Sequence, residues 1–179
     1  LQALGLLKNN TVVLTKMSNL GIIKAFERKG IDVVLTDVGD KYVLKAMLDN
    51  DFVIGGENSG HIIMKQFMQT GDGLLVALYL LKILVDQEKS LKELTKDIRF
   101  WPQEMVNIRT FDKTILNDER VVTVVDKVKS ALKDNGKVLV RASGTEPLVR
   151  VTLSTETNEE LAKYMDLIVS TIKKVKEEV

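Results

Sequence analysis

TVVLTKMSNLGIIKAFERKGIDVVLTDVGDKYVLKAMLDNDFVI, residues 11–54, decides the fold. Three short β-rich runs stand in it, at residues 11–15, 31–35 and 52–54. Between the first two, residues 19–29 read as a helix that Gly30 ends. Between the second and third, residues 36–40 read as a turn and residues 41–48 as a helix, with Tyr42, Leu44, Met47 and Leu48 apolar. Strand, helix, strand, helix, strand is the pattern of a parallel sheet with crossover helices. Ligands gather at the carboxyl ends of strands in such sheets. Gly55-Gly-Glu-Asn-Ser-Gly60 follows the third run and therefore lies at such an end.

Working outward, residues 61–64 read as a returning hairpin strand, and Thr70-Gly-Asp-Gly73 turns into the most apolar run of the chain, residues 74–85. That run is too short for a membrane span and contains Lys82, so it reads as a buried helix with Asp72 favourably placed at its N-terminus. A short helix is expected over residues 90–96. Arg99-Phe-Trp-Pro102 then breaks the pattern: proline stops a helix, and residues 105–109 alternate instead. The expected division is residues 1–99, a partial α/β domain, and residues 100–179, a smaller α+β domain.

The second part reads as strand, helix, hairpin, helix. Val121, Val125, Val128 and Leu132 share one helical face, and Leu161, Met165, Ile168, Ile172 and Val175 share another. An antiparallel sheet with both helices on a single face buries these stripes. In the hairpin, Arg141-Ala-Ser-Gly-Thr-Glu-Pro-Leu-Val-Arg150 joins two β-branched strands through a loop with hydroxyls at Ser143 and Thr145 and an unhindered backbone at Gly144. If Arg141 pairs near Leu148, strand alternation puts Arg141 and Arg150 on one face. Guanidiniums, hydroxyls and open N–H groups make an anion socket suited to phosphate. The same residues also describe an ordinary hairpin with solvated arginines.

Composition narrows the field. The net charge is +1, with 26 basic and 25 acidic residues, which argues against a general nucleic-acid or membrane surface. Without cysteine there is no disulfide, thiolate nucleophile or thiolate zinc site, and one histidine cannot build a multi-histidine metal site. His61 is the one side chain whose ordinary pKa lies near neutrality, which makes it a proton-transfer candidate as well as a possible structural histidine. Glu57 and Ser59, carried between glycines, suit a hydroxylated ligand or a plain polar turn. Asp40 and Lys41 stand at a strand-to-helix turn, where Asp is also an ordinary N-terminal signal. The chain starts at Leu1, its first residues read as a helix tail, and no signal sequence opens it; the expectation is a piece of a longer protein.

Met17-Ser-Asn-Leu-Gly21, Val38-Gly-Asp-Lys-Tyr42, Gly55-Gly-Glu-Asn-Ser-Gly-His61, Thr70-Gly-Asp-Gly73 and Arg141–Arg150, taken in this order, resemble the α-D-phosphohexomutase superfamily over essentially the whole chain. The closest likeness is to its amino-sugar branch. The resemblance implies most of the third domain, a three-layer α/β/α unit, and the complete fourth domain of a four-domain cytoplasmic bacterial enzyme. It implies interconversion of glucosamine 6-phosphate and glucosamine 1-phosphate through a phosphoserine and glucosamine 1,6-bisphosphate, with Mg2+, on the route to cell-wall precursors. Glu57, Ser59, Asp40 and Lys41 would hold the sugar, and His61 would be an acid/base group. Arg141, Ser143, Gly144, Thr145 and Arg150 would hold the phosphate not being transferred. The implied partners are a phosphosugar and the N-terminal domains of the same chain, with homodimerisation and with neither nucleic acid nor membrane.

The family's phosphoserine loop, its magnesium loop and the first strand of its third domain are not among these residues. After Arg150 the chain reads Thr152-Leu-Ser-Thr-Glu156 where an acidic, glycine-containing turn is common, and Asn58 replaces a frequent glutamine. The alternatives are a phosphomannomutase/phosphoglucomutase and a stand-alone phosphate-binding module.

Overall fold

The computed structural model describes residues 1–178, which divide into two compact units, residues 1–99 and Phe100 onward. In the first unit, β1 (Thr11–Thr15), β2 (Asp32–Thr36), β3 (Ile54–Gly56) and β4 (Ile62–Met64) form one sheet in the order β2-β1-β3-β4. The first three strands are parallel and β4 runs antiparallel to β3. Helix α1 (Leu20–Arg28) crosses from β1 to β2, and α2 (Asp40–Asp49) crosses from β2 to β3. Because β2 and β3 flank β1 on opposite sides, right-handed crossovers place α1 and α2 on opposite faces of the sheet. That makes three layers. On the α2 face, Val13, Val43, Met47, Phe52 and Ile63 form a buried cluster.

Two features depart from the sequence reading. The third strand spans Ile54–Gly56, not residues 52–54, so Gly55 and Gly56 belong to the sheet and not to the loop. A Cβ on Gly55 would lie 2.6 Å from Val43 Cγ1 and 2.8 Å from Met47 Sδ, and the glycine is what lets α2 press onto the strand. The apolar helix is present as α3 (Gly73–Gln87), with Asp72 accepting from the Leu74 and Leu75 amides, but none of its residues is buried. Leu74, Leu78, Leu81 and Val85 are 57–75% exposed along one helical stripe, and nothing among the described residues covers it. Apolar content says that a helix has something to bury; it does not supply the surface against which to bury it. A short helix α4 (Leu91–Thr95) follows, started by a capping box between Ser90 and Glu93.

In the second unit β5 (Gln103–Arg109), β6 (Gly136–Ala142) and β7 (Leu148–Thr155) form an antiparallel sheet in the order β5-β7-β6. Helices α5 (Glu119–Leu132) and α6 (Asn158–Glu177) pack on the face that carries Ile108, Val149, Val151 and Leu153, closing one core with Val128, Leu132, Met165, Ile168 and Ile172. Asp118 caps α5 by accepting from Arg120 N, and Thr157 caps α6 by accepting from Glu160 N. Arg120 joins the start of one helix to the end of the other, reaching Asp118 at 3.0 Å and Glu178 at 2.6 Å.

Candidate functional site

The other face of the second sheet carries the charged hairpin. Register places Arg141 directly opposite Arg150, with Asn107 of β5 on Arg150's other side. Arg141 does not pair near Leu148, because the strands stay bonded further toward the turn: Ala142 faces Val149, and Ser143 N donates to Leu148 O at 2.9 Å. The loop is thus Ser143–Pro147. Ser143 is buried, and its Oγ accepts from Glu146 N at 3.2 Å, which folds the turn back on itself. Lys113 Nζ donates to Ser143 O from the neighbouring loop.

Like charges directly opposite on antiparallel strands repel. Half of that repulsion is answered within the chain: Arg150 donates to Glu146 Oε2 at 2.6 Å and to Asn107 Oδ1 at 3.2 Å. Arg141 is exposed and has no partner among the described residues. The amides of Gly144 and Thr145 are also unbonded to protein, and nothing lies within 4 Å of where a Cβ of Gly144 would stand. One free guanidinium, one half-engaged guanidinium and two free amides at a hydroxyl-bearing turn can together hold a tetrahedral dianion. Glu146, Asn107 and Lys113 were not singled out from sequence. For Glu146 the signal was available, since it stands four residues ahead of Arg150 across a turn.

In the first unit the candidate residues collect at the carboxyl ends of the parallel strands. The turn after β3 is Glu57–His61, closed by Glu57 N donating to His61 O at 2.9 Å and Gly60 N donating to Glu57 O at 3.1 Å. Gly60 takes φ +92°, which a residue with a side chain rarely adopts. Glu57 Oε1 accepts from Gly39 N at 2.9 Å, tying this turn to the start of α2. Ser59 stands exposed at the turn's tip.

His61 Nε2 lies 3.6 Å from Asp40 Oδ2. That is too long for a hydrogen bond, and Nε2 is a buried atom without one. The ring packs flat against Gly71, whose Cβ would sit 2.4 Å from Nε2. The glycine of Thr70-Gly-Asp-Gly73 therefore makes the bed for the histidine. Lys41 points its ammonium over the Tyr42 ring at 4.8 Å, and Lys16 pairs with Asp37 at 2.7 Å. The structure thus brings Asp40, Glu57 and His61 together, while Lys41 lies on its own helix neighbour. Among the described residues no three His, Cys, Asp or Glu side chains group so as to hold a metal ion. No helix among them is long and apolar enough to cross a membrane.

Two family models match parts of the chain. The family described as phosphoglucomutase/phosphomannomutase, alpha/beta/alpha domain III matches residues 1–100, and the C-terminal domain of the same family matches residues 105–171. A phosphoglucosamine mutase of Lachnospira eligens is 45% identical over 168 residues, covering 93% of this chain and 37% of that protein. The phosphoglucosamine mutase of Limosilactobacillus fermentum is 45% identical over 176 residues, covering 98% of this chain and 39% of that protein. The chain therefore spans under two fifths of the length of these relatives. Among solved structures, N-acetylphosphoglucosamine mutase of Aspergillus fumigatus superimposes with a TM-score of 0.69 at 20% identity, covering 93% of this chain and 38% of that one. The same enzyme in complex with GlcNAc-6P and magnesium superimposes with a TM-score of 0.64 at 21% identity, again covering 93% and 38%. At that identity the likeness speaks for the fold.

Proposed function

This chain belongs to the phosphoglucomutase/phosphomannomutase family, and from that premise we propose that it is the substrate-holding part of a phosphoglucosamine mutase. The observation that carries the reading is the pair of facing arginines, one of them without a counter-charge, beside two free amides. The second unit takes the phosphate that is not being transferred, through Arg141, Arg150, Ser143, Thr145 and the backbone at Gly144. The first unit takes the sugar, with Glu57, Ser59, Asp40 and Lys41 facing its hydroxyl and amino groups.

The reaction we infer is interconversion of glucosamine 6-phosphate and glucosamine 1-phosphate. A phosphoserine supplied by the rest of the polypeptide gives its phosphoryl group to a sugar hydroxyl: an O–P bond to the sugar forms as the O–P bond to serine breaks. The proton leaving the sugar hydroxyl goes to a base, and His61, beside Asp40, is the candidate here. The resulting 1,6-bisphosphate reorients and returns its other phosphoryl group to serine. Such transfer depends on positioning more than on covalent chemistry in the protein, which fits a chain rich in holding groups and lacking a nucleophile. Magnesium is present in one solved relative. The carboxylates described here do not converge on a cation, and no step above runs through one. The same reading sets the whole protein in the bacterial cytoplasm as a homodimer.

The test is turnover by the full-length polypeptide that carries these residues, on glucosamine, mannose and glucose phosphates. Glucosamine phosphates should give the highest kcat/KM. A higher value on mannose or glucose phosphates moves the protein to a sister branch of the family, and no turnover on any of them ends the reading.

A further inference from the structure

A cavity in the C-terminal unit has no part in the reading above. It has a volume of about 480 Å³ and is formed by the loop after β5, the end of α6 and Pro147. Its only residue from the hairpin loop is Pro147. A pocket of this size suits a small metabolite, since ligand sites run from about 300 to 1,000 Å³. Its lining is partly apolar, with buried Ile115 and exposed Pro147. At its edge stands Phe111, 92% exposed, a ring with nothing to pack on.

The charges around it are uneven. Arg109 and Lys176 both line the pocket, both are exposed, and neither has a partner among the described residues. The single carboxylate in the lining, Asp112, is turned to its own backbone: it accepts from Thr114 N at 2.8 Å and from Thr114 Oγ1 at 2.6 Å. A cavity with a partly apolar lining, a free aromatic face and two free cations asks for a ligand that is planar at one end and anionic at the other. Aromatic faces hold bases by stacking, and guanidinium and ammonium groups hold phosphate.

We propose that this pocket binds a nucleotide, its base against Phe111 and its phosphate between Arg109 and Lys176. The pocket wall is joined to the hairpin loop by Thr110 N donating to Pro147 O at 2.9 Å, so an occupant would press on the loop that carries Ser143 and Gly144.

Calorimetric titration of the chain with AMP, with ribose 5-phosphate as the base-free control, tests the proposal. AMP should bind saturably and more tightly than ribose 5-phosphate. Phe111→Ala should weaken AMP about tenfold and leave ribose 5-phosphate unchanged, as expected for a lost stacking face. Arg109→Gln should weaken both, again by about tenfold. Every arm is titrated in the Arg141→Ala background, so that phosphate held by the hairpin socket does not enter the comparison. Both Phe111 and Arg109 are exposed, so the variants keep the core. The proposal is overturned if AMP shows no saturable binding, if ribose 5-phosphate binds as well as AMP, or if Arg109→Gln and Phe111→Ala both leave AMP binding intact.

Discussion

Gly71→Ala is the sharpest single perturbation that the first unit offers. A methyl group there would stand 2.4 Å from His61 Nε2 and 2.6 Å from both Cδ2 and Cε1. Ordinary carbon contacts lie at about 3.5–4.0 Å, so the imidazole has to retreat by about 1 Å or swing away. The His61 side chain is 37% exposed, which gives it somewhere to go. The folding cost therefore belongs at the low end of overpacking, about 1 kcal/mol. For a unit of this size that is a fall in Tm of about 5 °C. The functional cost should be far larger, because a misplacement of about 1 Å at a reacting group can cost about a hundredfold in rate. Two measurements separate these effects. Thermal unfolding reads the small loss, and proton–nitrogen spectra of the imidazole read the displaced ring. In the full-length protein kcat should fall about a hundredfold, with KM little changed, as for a group that acts in the transition state. Unchanged imidazole resonances would refute the reasoning, because they would mean the ring does not rest on Gly71. Displaced resonances with wild-type kcat would remove His61 from the chemistry.

Gly55→Ala should behave in the opposite way, since its Cβ meets Val43, Met47 and the β1 backbone in a buried cluster. A loss of about 1–3 kcal/mol by denaturant unfolding is expected, without a specific effect on the His61 resonances. Asp51 is held down to about 2 by hydrogen bonds and charge from Lys65 and Lys8. Its folded pKa is below its unfolded one, so its stabilising contribution is present above about pH 4 and fades as pH falls toward 2. Asp51→Asn should lower Tm modestly above about pH 4, where the contribution is present, and converge with the wild type as pH falls toward 2, which flattens the acid limb of a Tm-against-pH curve. Glu146→Gln should free the Arg150 guanidinium and tighten inorganic phosphate binding about twofold to fivefold by calorimetry, the scale of an exposed ion pair. Weaker binding would mean that Glu146 holds Arg150 in place instead of competing for it.

Much of the fold was legible in residues 11–54, because period and punctuation agree there: Asn19 caps α1 through Gly21 N, Gly30 takes φ +68°, and the first two β-branched runs become β1 and, one residue later than expected, β2. The second unit was legible for the same reason, and the two helical stripes are buried as their spacing requires. What was not legible depended on neighbours distant in sequence. Gly55 looked like loop because glycine usually is, and its place in the sheet follows from Val43 and Met47 arriving from α2. The exposure of α3 could not be read from its own residues. Around the candidate sites, Arg141, Arg150, Glu57 and His61 can be singled out by residue type and spacing. The carboxylate that occupies Arg150, the glycine beneath His61 and the amide that anchors Glu57 cannot, because each is a pairing made by the fold.

The central proposal is that Arg141 of the second unit holds a phosphate and Glu57 of the first unit holds a sugar. Titrating glucosamine 6-phosphate calorimetrically into the wild type, Glu57→Ala and Arg141→Ala tests it most directly. Arg141 has no partner among the described residues, so its removal should leave stability within about 0.5 kcal/mol and cost about 1.5–3 kcal/mol in binding, the value of a hydrogen bond to a charged group. Glu57→Ala should weaken glucosamine 6-phosphate and leave inorganic phosphate unchanged. Binding that neither substitution weakens would contradict the account.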